Sequence, residues 1–342
     1  MRQWFLFVTL VSMVACTSAP KPVDLASWTV QVRPIPGPAG ANTTAPQLTT
    51  SSRGVILSWV EQDPKSTAAR LWFAERTATG WSAPVQVASG DDWFVSYADP
   101  PNVMRMANGA LVANWLVVTD LINEGADLHL TYSTDNGKTW APSFMPHHDG
   151  KKVQHAFASL VEQPGKGLGV VWLDGRDGED MAVRYAAYDG AWKQTADQRV
   201  DARACECCGP TTVATPDGGV VVAFRDRSDK EIRDIAVSRL SGGTWSPSAV
   251  VHPDNWEVDY CPINGPMLAA RGNQAAVAWF TLQNNQGQAY VAFSSDAGKT
   301  WGAPQRLDEK GSLGRVDVEL LEDGSAVATW VEFGDKIGRA HV

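Results

Sequence analysis

Four cysteines are the residues whose type and spacing most directly suggest chemistry. Cys205, Cys207 and Cys208 lie almost side by side, and Cys261 lies further along the chain. Two disulfides would account for them, with three possible connectivities, of which Cys205–Cys208 with Cys207–Cys261 avoids very small rings. Alternatively, the thiolates could bind copper or zinc together with His155, or the cysteines could act as a redox group. The sequence leaves a disulfide and a metal or redox site both open.

Two charged segments form a second candidate site. Asp174-Gly-Arg-Asp177 and Arg225-Asp-Arg-Ser-Asp229 each combine arginines with carboxylates. Arginine binds a carboxylate or sulfate through two parallel hydrogen bonds, and a carboxyl group can act as an acid or base. We expect a ligand site that includes Asp174, Arg176, Arg225 and Arg227. The alternating charges fit a solvated loop equally well.

A repeated turn indicates how these residues are positioned. Ser133-Thr-Asp-Asn-Gly-Lys-Thr-Trp140 returns as Ser294-Ser-Asp-Ala-Gly-Lys-Thr-Trp301. In each copy the Asp accepts backbone N–H groups, the Gly permits positive φ, and the Trp anchors the turn. Aromatic residues that end apolar strands recur every 51 to 57 residues, at Trp59, Trp115, Trp172, Phe224, Trp279 and Trp330. The pattern predicts an all-β, six-bladed β-propeller of four-stranded antiparallel blades.

The candidate residues fall on one face of this predicted propeller. The repeated turns connect strands three and four of a blade, so they lie on one face. The loops between strands two and three and between blades open on the other face, and they carry the cysteines and the charged segments. Binding residues commonly lie on loops that a rigid scaffold holds together.

The N-terminus has the features of a targeting segment. Residues 1–16 contain an apolar run and end in Met13-Val-Ala-Cys16, which resembles a bacterial lipobox and implies lipidation of Cys16. Ordinary secretion with cleavage near Ala19 is the alternative. Residues 17–26 then form a tether and 27–342 the propeller. Because the C-terminal unit is one strand short, residues 27–33 are expected to supply the outer strand of the last blade and close the ring.

Composition restricts the partners. The net charge of −9 over 342 residues argues against nucleic acid, which requires a basic surface. No apolar run beyond the first residues is long enough to span a bilayer. We therefore expect a monomer in the bacterial cell envelope, periplasmic or at the cell surface, with a small-molecule or glycan ligand and a lipid anchor as its membrane contact.

The repeated turns resemble the Asp boxes of the sialidase (BNR-repeat) superfamily, whose fold is a six-bladed propeller. The resemblance implies three arginines that hold a substrate carboxylate, a Tyr–Glu pair as nucleophile and an Asp as acid/base. Asp99, Tyr260 and Glu206 are the candidates for the catalytic roles. The family's first arginine belongs to an Arg-Ile-Pro motif, and the matching stretch here is Thr44-Ala45-Pro46. Arg315 of the sixth unit is the candidate replacement.

Loss of one arginine from such a clamp costs about 2–5 kcal/mol of binding, so we expect little release of sialic acid. Three hypotheses follow. The first is a sialidase-like lipoprotein that binds or hydrolyses a glycan or another anionic ligand. The second is a metal or redox propeller centred on the cysteines, and the third is a scaffold with two disulfides.

Overall fold

The computed structural model describes residues 34–163, 165, 167–178, 180–332 and, for the backbone, 339–341. The signal segment with Cys16, the tether and the expected closing strand at 27–33 lie outside the described residues, so those predictions stay open. Residues 38–342 form one compact unit. Among the described residues there is no helix long and apolar enough to cross a membrane.

The described strands form six separate sheets that follow one another along the chain, and all their strand pairs are antiparallel. The first three sheets consist of β1 (Thr43–Ser51), β2 (Gly54–Gln62), β3 (Ala69–Thr77), β4 (Gly80–Trp81) and β5 (Val85–Gly90); β6 (Asn102–Arg105), β7 (Leu111–Asp120) and β8 (Gly125–Ser133); and β9 (His155–Gln163), β10 (Gly167–Asp174), β11 (Met181–Tyr188) and β12 (Gln194–Ala204).

The remaining sheets repeat this up-and-down order. They consist of β13 (Thr211–Ala214), β14 (Val220–Arg225), β15 (Ile235–Ser241), β16 (Thr244–Trp245) and β17 (Ala249–Val250); β18 (Met267–Arg271), β19 (Gln274–Gln283), β20 (Gln286–Ser294) and β21 (Gln305–Arg306); and β22 (Ser312–Leu320), β23 (Ala326–Glu332) and β24 (Arg339–His341). The predicted all-β propeller is confirmed.

The sheets pack face to face through the apolar residues of their middle strands. The second strand β10 is buried along nearly its whole length, as expected for a strand covered on both faces. Trp59, Trp172 and Trp279, at equivalent positions of their sheets, are among the largest fully buried side chains. First strands of neighbouring sheets are also joined directly: Thr49 Oγ1 donates to Val103 O at 2.6 Å.

The two repeated turns have matching hydrogen bonds. Asp135 accepts the Thr139 N–H at 2.9 Å and the Thr139 hydroxyl at 2.6 Å, and Asp296 accepts the same two groups of Thr300 at the same distances. Each turn follows the third strand of its sheet and packs on the preceding sheet; Trp140 meets Phe73 edge-on, with 6.2 Å between ring centroids. The turns therefore hold neighbouring sheets together on the face away from the candidate site.

Candidate functional site

A cavity of about 350 Å³ lies where the first strands of all six sheets begin. Each sheet contributes residues at or just before its first strand, among them Gln47, Asn102, Phe157, Pro210, Pro266 and Arg315. Only the propeller axis is shared by all sheets, so this is the axial cavity. It lies on the loop face that the sequence predicted to carry function.

Three first strands enter this region through the same backbone irregularity. Ala45, Phe157 and Arg315 have positive φ angles of 51°, 58° and 56°. Each lies where the pairing register between the first and second strands shifts. Positive φ in a residue with a side chain costs on the order of 1–3 kcal/mol and persists where surrounding contacts hold it. The position of Ala45 in the first sheet therefore corresponds to those of Phe157 in the third sheet and Arg315 in the last sheet.

Two polar side chains hold these strained residues in place. Asp99 Oδ2 accepts the backbone N–H of Phe157 at 2.6 Å. Asn264 Oδ1 accepts the backbone N–H of Arg315 at 3.1 Å. All four residues line the cavity. The wall of the cavity is thus formed by residues of different sheets that contact one another, and not by a single loop.

Asp99 is the acidic group of the cavity. Its side chain is buried, and this desolvation raises its pKa to about 7, although the hydrogen bond from Phe157 N–H acts in the opposite direction. Its carboxyl group is therefore divided between the neutral and charged forms near neutral pH. A neutral carboxyl group can donate a hydrogen bond or a proton to a bound molecule.

Arg315 is the cationic group of the cavity. Its guanidinium lies over the ring of Tyr97, 5.2 Å from the centroid, and Tyr97 is 65% exposed. Within the described part of the chain, no carboxylate lies within salt-bridge distance of Arg315. The aromatic ring orients the guanidinium without neutralising it, which leaves its charge available to an anion.

The cysteines lie beside the same cavity, next to two Gly-Pro steps that meet. A Cβ on Gly265 would collide with the carbonyl oxygen of Gly209, so only glycine permits this approach of the fourth and fifth sheets. The approach brings Cys261 to Cys207, and the two are bonded as a disulfide. Cys207 also lines the cavity. One pair of the connectivity favoured from ring size is therefore present.

Cys205 and Cys208 are free and buried, with their sulfur atoms 2.8 Å apart. The hydrogen bond from Cys208 lowers the pKa of Cys205 to about 6, with smaller contributions from Arg225 and Arg233. Burial raises the pKa of Cys208 well above its ordinary value. Cys205 is thus the thiolate of the pair and Cys208 the thiol.

The arginines that the charged segments suggested are not in the cavity. Arg225 is 1% exposed and donates to the carbonyl oxygens of Asn264, Arg233 and Phe280 at 2.7–3.0 Å. Its guanidinium also lies 4.9 Å from the ring centroid of Trp256. Arg225 therefore crosslinks the fourth and fifth sheets, and its ligand role stays a prediction.

The other members of this candidate site are paired with one another. Arg176 binds Asp174 at 2.7 Å, and Arg227 binds Glu231 at 2.9 Å. None of these residues lines the axial cavity. Each arginine lies within four residues of its acidic partner in the sequence, so local pairing satisfies its charge, and the ligand site at Asp174, Arg176 and Arg227 stays a prediction.

The catalytic candidates divide in the same way. Asp99 lines the cavity, whereas Tyr260 and Glu206 do not. Tyr260 is 56% exposed, and Glu206 Oε2 lies 3.2 Å from Arg227 and 3.4 Å from Arg233. No hydrogen bond joins Tyr260 to Glu206 in the described chain. The structure thus does not assemble these two residues into a nucleophile pair.

His155 is likewise separated from the cysteines. Its ring stacks on His147, with 3.6 Å between centroids, and Nε2 lies 3.1 Å from Asp149 and 3.9 Å from Asp174. The contacts of His155 in the described chain thus belong to another buried group, between the second and third sheets, and none of them is with a cysteine. Desolvation lowers the pKa of His147 to about 3, so that ring is neutral.

Three groups of described residues have the donors and spacing for a metal, and one of them is Asp127, His147 and His155. Cys205, Cys207 and Cys208 could hold copper or zinc only after reduction of the Cys207–Cys261 disulfide. The buried group of Asp149, His155 and Asp174 also has ligand atoms close enough together. However, Arg176 lies within 3.3 Å of Asp149 and 2.7 Å of Asp174, so a guanidinium already compensates the charge that would attract a cation.

Sequence reasoning did not select Tyr97, Phe157 or Asn264. Tyr97 precedes Asp99 by two residues, and Asn264 directly precedes a Gly-Pro step. The contacts of the two polar residues cross between sheets, and no spacing along the chain reveals them.

The fold is similar to that of several enzymes that act on carbohydrates, although no family model and no curated protein matches the sequence. An ulvan lyase solved with a bound GlcA–Rha3S segment has a TM-score of 0.50 and 12% identity over 83% of this chain and 75% of that chain. The intramolecular trans-sialidase of Ruminococcus gnavus, in complex with oseltamivir carboxylate, has a TM-score of 0.50 and 12% identity over 84% and 89%.

The α-L-arabinofuranosidase of Fusarium graminearum, in complex with an iminosugar inhibitor, has a TM-score of 0.53 and 10% identity over 85% of this chain and 88% of that chain. At such low identity these similarities establish the fold alone. The chain is an all-β propeller, similar in fold to these enzymes.

Proposed function

We propose that the axial cavity binds a carbohydrate that carries a carboxylate or another anionic group. The observation that carries the proposal is Arg315, a cation with no paired carboxylate in the described chain, held in a cavity to which every sheet contributes. A guanidinium binds a carboxylate or sulfate through two parallel hydrogen bonds. The glycan-active enzymes of similar fold support a carbohydrate ligand.

The neighbouring residues have complementary roles in this proposal. The exposed ring of Tyr97 offers an apolar surface to a sugar ring, as aromatic side chains do in ligand pockets. Asp99 in its neutral form donates a hydrogen bond to the bound sugar. Asn102, whose buried side-chain oxygen has no hydrogen-bond partner in the described chain, accepts one from a hydroxyl group.

Binding is better supported than hydrolysis. Glycoside hydrolysis ordinarily needs two carboxyl groups, or a nucleophile in place of the second. Asp99 is the one carboxyl group that lines the described cavity, and Tyr260 and Glu206 are not brought to it. We therefore expect weak or no glycosidase activity. If the protein is an enzyme, Asp99 is its acid and the nucleophile comes from outside the lining residues.

The architecture and location belong to the same proposal. The six sheets are the blades of one ring, which residues 27–33 close as an outer strand. Cys16 is lipidated, so that the protein is held in the cell envelope. Cys16→Ser should move the protein out of the membrane fraction; unchanged fractionation would contradict the anchor.

Calorimetric titration of the purified protein tests the ligand class. Sialyllactose and a uronic acid oligosaccharide should bind, and lactose should bind at least about tenfold more weakly. Arg315→Ala should abolish this preference. Arg271→Ala, which removes an exposed arginine paired with Glu322, should leave it unchanged. Equal binding of lactose and sialyllactose, or an unaltered preference in Arg315→Ala, would refute the proposal.

A further inference from the structure

A pair of free cysteines lies beside a pair that is joined as a disulfide. Cys205 Sγ is 2.8 Å from Cys208 Sγ and 3.8 Å from Cys207 Sγ, and Cys207 is bonded to Cys261. The three neighbouring cysteines form a tight turn that is closed by the Cys208 N–H to Cys205 O bond. One thiol of the free pair is therefore positioned to attack a sulfur atom of the disulfide. The second thiol of that pair is in contact with the first thiol and can attack it in turn.

The surroundings favour a thiolate at Cys205. Arg233 Nη1 donates to Cys205 Sγ at 3.4 Å, and Arg233 is 1% exposed. A buried guanidinium beside a sulfur atom stabilises the anionic form, which is the nucleophile in thiol–disulfide exchange. If the cysteines only stabilised a scaffold through disulfides, no cation beside a free thiol would be required.

The two pairs differ in their access to solvent. Cys205 and Cys208 are 0% and 1% exposed, so an external reagent cannot contact them directly. Cys261 is exposed, and Cys207 lines the axial cavity. Electrons from the buried pair can thus leave the protein only through the outer pair.

We propose that Cys205, Cys208, Cys207 and Cys261 form a two-electron thiol–disulfide relay that connects a buried dithiol to the protein surface. Its external reactant is a thiol or disulfide of another molecule, which exchanges at Cys261. This activity is separate from carbohydrate binding and does not depend on it.

The internal transfer takes place in two balanced exchanges. The Cys205 thiolate attacks Cys207 Sγ; the Cys205–Cys207 bond forms, the Cys207–Cys261 bond breaks, and Cys261 leaves as a thiolate that takes a proton from water. Cys208 then gives its proton to the hydroxide left by that step and attacks Cys205 Sγ; the Cys205–Cys208 bond forms, the Cys205–Cys207 bond breaks, and Cys207 leaves as a thiolate. The dithiol is oxidised by the disulfide, and no further oxidant is required.

The outer pair exchanges electrons with external molecules in both directions. As a dithiol it can reduce an external disulfide, and as a disulfide it accepts electrons from an external thiol. An external thiolate attacks Cys261 Sγ in the Cys207–Cys261 disulfide and releases Cys207. A second external thiol resolves the mixed disulfide, and the reactant leaves oxidised while the outer pair is reduced. The relay thus links the redox state of its surroundings to that of the buried pair.

Alkylation trapping of the full-length protein tests the relay. The protein, in detergent, is brought to one disulfide and two thiols with a stoichiometric phosphine, and an acid-quenched sample gives the starting distribution of bonds. The native protein is then incubated with N-ethylmaleimide without reductant, and its bonds are mapped by mass spectrometry. The relay predicts that Cys261 becomes alkylated, that the fraction with the Cys207–Cys261 bond falls toward zero, and that Cys205–Cys208 replaces it.

Two variants distinguish the steps. Cys208→Ser removes the second nucleophile, so a Cys205–Cys207 bond should accumulate as Cys261 is alkylated. Cys205→Ser removes the first, so the Cys207–Cys261 bond should persist; near-ultraviolet circular dichroism checks the fold of both. A Cys207–Cys261 fraction that stays constant in the parent protein would overturn the relay. Equal loss of that bond in the parent and Cys205→Ser would overturn it as well.

Discussion

The guanidinium of Arg315 lies over the ring of Tyr97, 5.2 Å from its centroid. Arg315 belongs to β22 of the last sheet, and Tyr97 belongs to the connection between the first and second sheets. The contact therefore joins the two ends of the described propeller at the axial cavity. A cation–π contact at an exposed site contributes about 0.5–1 kcal/mol, which orients the cation while its charge remains available.

Tyr97→Ala should weaken the binding of an acidic oligosaccharide by about three- to tenfold, because it removes both the orientation of Arg315 and the sugar-facing ring. Tyr97→Phe keeps the ring and should bind nearly as the parent does. Titration calorimetry measures both. Since Tyr97 is 65% exposed, neither change should alter the unfolding midpoint. Unchanged affinity in Tyr97→Ala would remove this residue from the site.

Asp99 should make stability depend on pH. Its pKa is about 7 in the folded protein, against an ordinary value of 3.8, so the folded state holds the proton more tightly than the unfolded chain. The resulting stabilisation is complete below the ordinary value and is lost as pH rises through 7. Relative to Asp99→Asn, the parent should therefore gain up to about 4 kcal/mol in unfolding free energy between pH 7 and pH 4.

Urea denaturation of both proteins across this pH range measures the difference, in which the contributions of other groups cancel. A difference that stays flat would show that Asp99 is ionised in the folded protein. In that case it could not donate a hydrogen bond to the bound sugar.

Arg225→Ala should destabilise the fold rather than only weaken binding. The change leaves three buried carbonyl groups without their donor, which costs about 3–5 kcal/mol of unfolding free energy. Arg271→Ala is the matched control on an exposed arginine and should change stability by less than about 0.5 kcal/mol. Chemical denaturation gives both values. An Arg225→Ala protein as stable as the parent would contradict the crosslinking role.

The repetition of one sheet after another along the chain was predictable from the sequence, because local chemistry marks each repeat. Asp135, Gly137 and Thr139 specify a turn by themselves, and the aromatic residues that end apolar strands recur once per sheet. The loop face on which the axial cavity lies was predictable from the same repeat. The disulfide between Cys207 and Cys261 was one of the alternatives, because two Gly-Pro steps at equivalent positions must meet in a ring of sheets.

The site itself was only partly predictable, since its contacts join different sheets. Asp99 was selected by its place on the loop face, but its hydrogen bond to Phe157 N–H spans two sheets. Arg225 and Arg176 are loop arginines in sequence, and nothing in their spacing shows that carbonyl groups and Asp174 already satisfy them. His155 was a candidate ligand beside the cysteines, and nothing in the sequence shows that its side chain stacks on His147 between two sheets.

The most direct test of the account combines one residue with one ligand group. The affinities of the parent and Arg315→Gln are measured for sialyllactose and for its analogue in which the carboxylate is reduced to an alcohol. If Arg315 holds the anionic group in the axial cavity, the carboxylate should strengthen binding to the parent by about tenfold or more and have little effect on Arg315→Gln. An equal effect of the carboxylate on both proteins would contradict the account.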